Sequence, residues 1–228
     1  MKLFVSNYSG SLNCCDYDIK YINIPELKKF MEEGNKFLLN TNQSFNSIQE
    51  EIGKYDIPYN YLSCNDGNLL LDRKDNVLYM SNMNDDLDYD LQIISHDYPE
   101  IKIDRFYYND NIVEYCFTVD EYGEIIKALL NWLCQKYAIN YRVINNKDHF
   151  NIYLFNRGIS KLSSINIIRD IEGINNKDIY IVGSTINDLD MLGEYNCYAT
   201  LWANSEVKNI CKKECLGVKS LLKKINRR

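Results

Sequence analysis

The apolar positions of this chain alternate between strand-like runs and helical repeats. Residues 3–5 form a continuous apolar run that stops at a polar turn containing Gly10, the pattern of a short buried strand and its loop. Behind Pro25, tolerated in a helix's first turn, Leu27, Phe30 and Met31 recur at i, i+3 and i+4. Residues 36–40 predict a second strand ending at Thr41-Asn42-Gln43, and a helix follows with Phe45, Ile48 and Ile52 on one side. Residues 59–63 predict a third strand running into the turn Asn65-Asp66-Gly67, then a hairpin of 69–71 with 77–80.

The middle of the chain changes character. Residues 82–90 are polar and acidic and read as a hinge or linker. Beyond them 112–119 alternates as a strand, 122–137 has helical periodicity, and 141–144 with 150–155 flank Asn145-Asn146-Lys147-Asp148 as a hairpin. From Ser160 the alternation resumes: a helix through Ile165, Ile168 and Ile171, a strand at 179–182, a helix at 188–195, a strand at 197–201, a helix at 205–215 and a last helix from Val218. Strands alternating with helices predict an α/β fold with a doubly wound parallel sheet at 1–81 and 157–228, interrupted by a small inserted α+β domain at 82–156. Loops at the strands' carboxyl ends then converge on one crevice.

Composition narrows the partners. The 228 residues are 46% hydrophobic and 25% charged, as in ordinary globular proteins. A net charge of −6 argues against nucleic acid or an anionic membrane as the main partner, and the basic residues of 219–228 read as the solvated face of the last helix. No apolar run approaches the ~18 residues of a membrane span, and no signal-peptide pattern opens the chain. Eight cysteines without such a signal predict reduced thiols in a cytoplasm. Cys14-Cys15 and the pair Cys211 and Cys215, read at i, i+4 on one helix, have only His96 and His149 to join them, which is not zinc-site spacing. Asp86, Asp88, Asp90 and Asp97 match a calcium loop, but Leu91 stands where that loop's sharp turn needs Gly. Trp132 and the pair Tyr107-Tyr108 read as packing residues of the insert.

The predicted loops carry a resemblance. Asn7-Tyr8-Ser9-Gly10-Ser11 resembles the Asp-x-Asp-Gly-Thr signature of the haloacid dehalogenase (HAD) superfamily, and Thr41-Asn42-Gln43 resembles its second motif. Asn65-Asp66-Gly67 is similar to the Asn-Gly segment of the Cof-like branch with a type II cap. Gly158-Ile159-Ser160-Lys161 resembles that branch's Lys motif. The segment Gly183-Ser184-Thr185-Ile186-Asn187-Asp188 resembles Gly-Asp-x-x-Asn-Asp, and Asn204-Ser205 resembles the Asn-Ala after the next strand. The motifs keep the family's order across nearly the whole chain. The resemblance implies a HAD-like Rossmannoid core with the insert as its cap.

It also implies roles. The first Asp of the signature attacks phosphorus, the second is general acid and base, and the last motif's acids hold Mg²⁺ with the nucleophile. Here Asn7 stands at the nucleophile position and Ser9 at the acid/base position, while Ser184 replaces the first acid of the last motif, leaving Asn187 and Asp188 at the metal. Gly10, Thr41, Asn42 and Lys161 fall at phosphate-binding positions. Three carboxylates are gone while phosphate-facing residues remain. The expectation is a phosphatase-like pseudoenzyme with a compromised Mg²⁺ site or none. It would bind a phosphorylated small molecule without metal, or leave Lys161 simply paired with Asp188. Two alternatives are an altered Mg²⁺-dependent phosphohydrolase acting on a sugar phosphate or similar monoester through Asp188 or Asp66, and a module that binds a protein partner.

Overall fold

The computed structural model describes residues 1–14 and 17–226. Cys15, Asp16, Arg227 and Arg228 lie outside the described residues. Two compact units form, Met1–Leu78 with Ser160–Arg228, and Tyr79–Ile159.

The first unit opens with β1 (Leu3–Ser6), a short wide-turn helical segment at Asp18–Asn23, α1 (Ile24–Glu32), β2 (Lys36–Asn40), α2 (Phe45–Tyr55), β3 (Tyr61–Cys64) and β4 (Leu69–Asp72), and β5 (Val77–Met80) begins in it and ends in the second. The second unit contributes α3 (Asp85–Asp97), β6 (Lys102–Tyr108), β7 (Asn111–Val119), α4 (Glu124–Tyr137), β8 (Ile139–Asn145) and β9 (Phe150–Asn156). The return carries α5 (Lys161–Glu172), β10 (Ile179–Gly183), β11 (Asn196–Thr200), α6 (Ser205–Cys211), β12 (Glu214–Cys215) and α7 (Val218–Asn226). Among the described residues no helix is long and apolar enough to cross a membrane.

The large sheet runs β12-β11-β10-β1-β2-β3-β4-β5. It is parallel from β12 to β3, with Val5 opposite both Ile181 and Leu38, and β4 pairs antiparallel to β3. Every residue of β1 is buried, so both faces of the sheet are covered there, which is why its sequence is a continuous apolar run rather than an alternation. Phe4 stacks on Phe37 of the neighbouring strand at 5.7 Å. The turn after β3 needs a residue without a side chain: Gly67 has φ +97°, and a Cβ there would lie 2.3 Å from the Ser160 carbonyl oxygen. Gly67→Ala is therefore expected to cost about 2–3 kcal/mol, read as a lower midpoint with unchanged slope in urea unfolding.

The second unit is a four-stranded antiparallel sheet, β6-β7-β9-β8. Leu87, Leu91 and Ile94 of α3 and Ile126, Leu130 and Leu133 of α4 share one core with Tyr115, Phe117, Ile152 and Leu154 of the sheet.

The structure corrects several readings. Residues 85–90 are the first turns of α3 and not a linker: Asn84 caps the helix by accepting the Asp86 N–H at 2.7 Å, and Asp85, Asp86 and Asp88 sit where the helix dipole favours anions. The calcium template falls with it, because all four of its acids lie along a single helix and cannot surround an ion. Residues 188–195 are no helix; a tight helical turn at Ile186–Met191 ends instead at extended Leu192. α6 ends at Cys211 because Lys212 turns left-handed with φ +53°, which sends Cys215 into β12 and off any shared helical face with Cys211. β6 was not anticipated, its alternation being broken by a bulge between Phe106 and Tyr107.

Candidate functional site

The chain runs from β1 outward through β2 and β3, and from β10 outward the opposite way through β11 and β12. Strand order therefore reverses between β1 and β10, where an open parallel sheet holds its crevice at the strands' carboxyl ends. Two loops meet there, residues 7–13 after β1 and 184–191 after β10.

The first loop is held by its own side chains. Asn7, 1% exposed, accepts the Tyr8 N–H on Oδ1 at 2.8 Å and donates from Nδ2 to the Ser9 carbonyl at 3.3 Å. Its backbone carbonyl accepts the Leu12 N–H at 3.1 Å and the Ser6 hydroxyl at 2.8 Å. Tyr8 is buried, donates its hydroxyl to Glu51 and accepts from Asn13 Nδ2 at 2.8 Å. Burial, and then the Glu51 carboxylate, hold its pKa far above the usual phenol value, so it stays protonated at neutral pH. Ser9 is exposed.

The two loops are joined by Ser11 and Ser184, whose hydroxyl oxygens lie 2.9 Å apart with both residues buried. They approach closely: a Cβ on Gly10 would sit 2.7 Å from Ser184 Oγ. Asp188 closes the second loop, its Oδ2 accepting the Ser184 N–H at 2.9 Å and the Thr185 N–H at 3.0 Å. Its Oδ1 lies 3.0 Å from Lys161 Nζ, and both side chains are 0% exposed. Lys161 opens α5 behind the Ser160 cap; its N–H donates to Asp190 Oδ2 at 2.8 Å and its carbonyl accepts from Asn40 Nδ2 at 2.9 Å. One lysine thus connects α5, the second loop and the end of β2.

Thr41 follows β2 and is buried; its N–H donates to the Ser63 carbonyl at 2.8 Å and its Oγ1 accepts the Gln43 N–H at 3.2 Å. Asn42 and Asn187 are partly buried. Neither they nor Ser9 make a side-chain bond to the other candidate residues among the described residues. The structure therefore brings Gly10, Ser184, Asp188 and Lys161 into one linked group through Ser11, while Asn7 bonds within its own loop.

His96, His149, Trp132 and Tyr107-Tyr108 all lie in the second unit. His96 is exposed beside Asp97, and His149 bonds Asn146 at 3.1 Å. Burial works against ionisation of Asp88, but bonds from Arg105, Gln92 and Tyr115 outweigh it and hold its carboxyl below the ordinary range. Sequence reasoning missed Asn40, Tyr8, Ser11 and Trp202. Tyr8 and Ser11 lie inside the quoted motif, so their position was visible although their bonds were not. Asn40 and Trp202 gave no local signal, since each acts on a loop distant in sequence: Trp202 Nε1 donates to the Gly10 carbonyl at 2.7 Å.

A family model described as haloacid dehalogenase-like hydrolase matches residues 88–219. No curated protein matches the sequence. Among solved structures, a haloacid dehalogenase-like hydrolase from Bacteroides thetaiotaomicron aligns with TM-score 0.78 at 15% identity, covering 99% of this chain and 98% of that one. One from B. subtilis aligns with TM-score 0.76 at 12% identity, covering 98% and 99%. A Plasmodium vivax protein described as a HAD/COF-like hydrolase aligns with TM-score 0.74 at 17% identity, covering 100% and 95%. At these identities the likeness concerns the fold.

Proposed function

This chain belongs to the haloacid dehalogenase-like hydrolase family, and we propose that it is a non-catalytic member, a phosphatase frame used for recognition and not for phosphoryl transfer. The observation that carries the reading is the state of Asn7. A neutral carboxamide at the nucleophile position has its oxygen on the Tyr8 N–H and its nitrogen on the Ser9 carbonyl, so it acts as a clasp of its own loop. Ser9 presents only an exposed hydroxyl, Tyr8 is held protonated, the oxygens of Asp188 are taken up by Lys161 and two loop N–H groups, and Asp190 accepts the Lys161 N–H, which leaves buried Asp66 as the carboxylate an altered phosphohydrolase would have to use.

The family's chemistry uses Mg²⁺, and the donor set here does not fit it. A hard divalent ion wants several oxygen donors, carboxylates foremost. The candidates are the Asn7 carboxamide, the Ser184 hydroxyl already joined to Ser11, Asn187 as a second neutral carboxamide, and Asp188 already neutralised by Lys161. Among the described residues no group of three or more acidic, thiol or imidazole side chains is placed to hold a metal. Losing these carboxylates also removes the repulsion that would oppose a phosphate. Thr41, with Lys161 as a balanced rather than a surplus charge, then suits a weakly held phosphoester or a protein partner better than a substrate to be turned over.

The test is turnover. With MgCl₂ present, purified protein is expected to release phosphate from p-nitrophenyl phosphate no faster than buffer. Saturable release that EDTA removes and that Asp66→Ala or Asp188→Ala abolishes would overturn the proposal and establish an altered phosphohydrolase.

A further inference from the structure

We propose that Cys197 and Cys211 are a redox-reactive pair of the first unit: a hydroperoxide oxidises Cys197, and Cys211 closes a disulfide onto it. Both thiols are free and buried, at 6% and 4% exposure. Backbone pairing brings them together. β11 and β12 run parallel, with Ala199 opposite Glu214 and Thr200 opposite Cys215, and the Ala199 N–H donates to the Lys213 carbonyl at 2.9 Å. Two residues back along each segment stand Cys197, near the start of β11, and Cys211, the last residue of α6. Neighbouring strands lie ~4.8 Å apart, a spacing of the order that a disulfide bridges. The side chains meet accordingly: Cys197 Sγ lies 3.9 Å from the Cys211 carbonyl oxygen and within hydrogen-bond reach of the Cys211 thiol.

Their surroundings divide the roles. As a thiolate, Cys197 accepts the Cys211 S–H and the Gly193 N–H, with the Lys213 ammonium nearby. Together these outweigh burial and hold its pKa below the ordinary thiol range. The same bond to Cys197, and then burial, push Cys211 up, so it stays a thiol until its neighbour reacts. Burial likewise raises Cys116, Cys134 and Cys215, which sets Cys197 apart from them. Cys197 is therefore the nucleophile and Cys211 the resolving thiol.

In the first step the Cys197 thiolate attacks one peroxide oxygen. The S–O bond forms, the O–O bond breaks, and the departing oxygen takes a proton and leaves as water or an alcohol. Cys211 then gives up its proton and attacks the Cys197 sulfur, so that S–S forms, S–O breaks and water leaves. The two sulfurs lose two electrons and the peroxide gains them. The bridge ties down one end of α6, whose other end touches the second crevice loop, where the Asn204 N–H donates to the Ser184 carbonyl at 2.9 Å. The pair does not depend on whether the crevice turns over phosphate.

Hydrogen peroxide is the probe, applied to the reduced, folded chain and quenched with N-ethylmaleimide in denaturant. Peptide mapping is expected to recover Cys197 and Cys211 in one cross-linked species, two hydrogens lighter than the separate thiol peptides and reversed by dithiothreitol. The link is expected to form at least about tenfold faster than Cys14, an exposed thiol, is oxidised. In Cys211→Ser, dimedone is expected to trap Cys197 as its sulfenic acid; in Cys197→Ser, Cys211 is expected to stay alkylatable. The proposal is overturned if Cys197 and Cys211 of the parent remain alkylatable once Cys14 is oxidised, if Cys197 links to Cys215 instead, or if dimedone marks Cys211 in Cys197→Ser.

Discussion

Lys161→Met is expected to lower the unfolding free energy by about 3–5 kcal/mol. Lys161 and Asp188 are both 0% exposed with 3.0 Å between charged atoms, so truncating the lysine leaves a carboxylate buried without its counter-charge. Two N–H groups would still satisfy Asp188 Oδ2, but Oδ1 would face an apolar methionine. The loss is a statement about the orphaned partner, not about the net worth of the pair. Removing both charges tests this directly: Lys161→Met with Asp188→Asn keeps an oxygen for the Ser184 and Thr185 N–H groups and buries no ion. The double variant is therefore expected to recover to within about 2 kcal/mol of the parent. Urea unfolding of the three proteins at neutral pH decides it. A single variant less than 1 kcal/mol below the parent would mean that Lys161 is not held by Asp188 in solution and is available to an anion.

The pair also shows where sequence reading ends. Its members were identified by the family resemblance of their loops, Lys161 in the segment that follows the insert and Asp188 in the segment that follows a buried strand. Their pairing stood as one of two expectations and is the one present, at 3.0 Å across 27 residues and a change of strand, but that both charges would be wholly buried carried no local sign. The large sheet was legible because parallel strands buried on both faces leave uninterrupted apolar runs such as Leu3–Ser6. α3 was obscured by the opposite effect. Its acids, favourable at a helix N-terminus, made the segment resemble a solvated linker, although Leu87, Leu91 and Ile94 kept helical spacing. The helix expected at 188–195 is instead a short turn at Ile186–Met191: a capping box between Thr185 and Asp188 starts it two residues earlier, and extended Leu192 ends it. Trp202 lay beyond any pattern: an exposed tryptophan in a turn carries no sign of the loop it will cover.

The largest functional effect is expected from restoring the missing acids together. A protein carrying Asn7→Asp, Ser9→Asp and Ser184→Asp is expected to be about 2–3 kcal/mol less stable than the parent in EDTA, and to regain most of that loss in MgCl₂. In the parent, Asn7 Nδ2 donates to the Ser9 carbonyl at 3.3 Å. An aspartate there sets acceptor against acceptor. At position 184 a carboxylate replaces a hydroxyl that lies 2.9 Å from Ser11 Oγ and crowds Gly10, adding negative charge to a loop that already holds Asp188 and Asp190 around a single lysine. A divalent cation relieves both defects at once, and at a hundredfold excess over its dissociation constant contributes about 2.7 kcal/mol. The parent, already clasped by an amide, is expected to show the same thermal midpoint with and without Mg²⁺. Aryl-phosphate turnover is expected to appear in the triple variant only under the conditions where Mg²⁺ stabilises it, since both need the same convergence of carboxylates. Were the triple variant indifferent to Mg²⁺ while folded, the carboxylates would not converge at these three positions. The crevice would then have been reshaped beyond its acids, and the Asn7 clasp would be a consequence of that reshaping and not its cause.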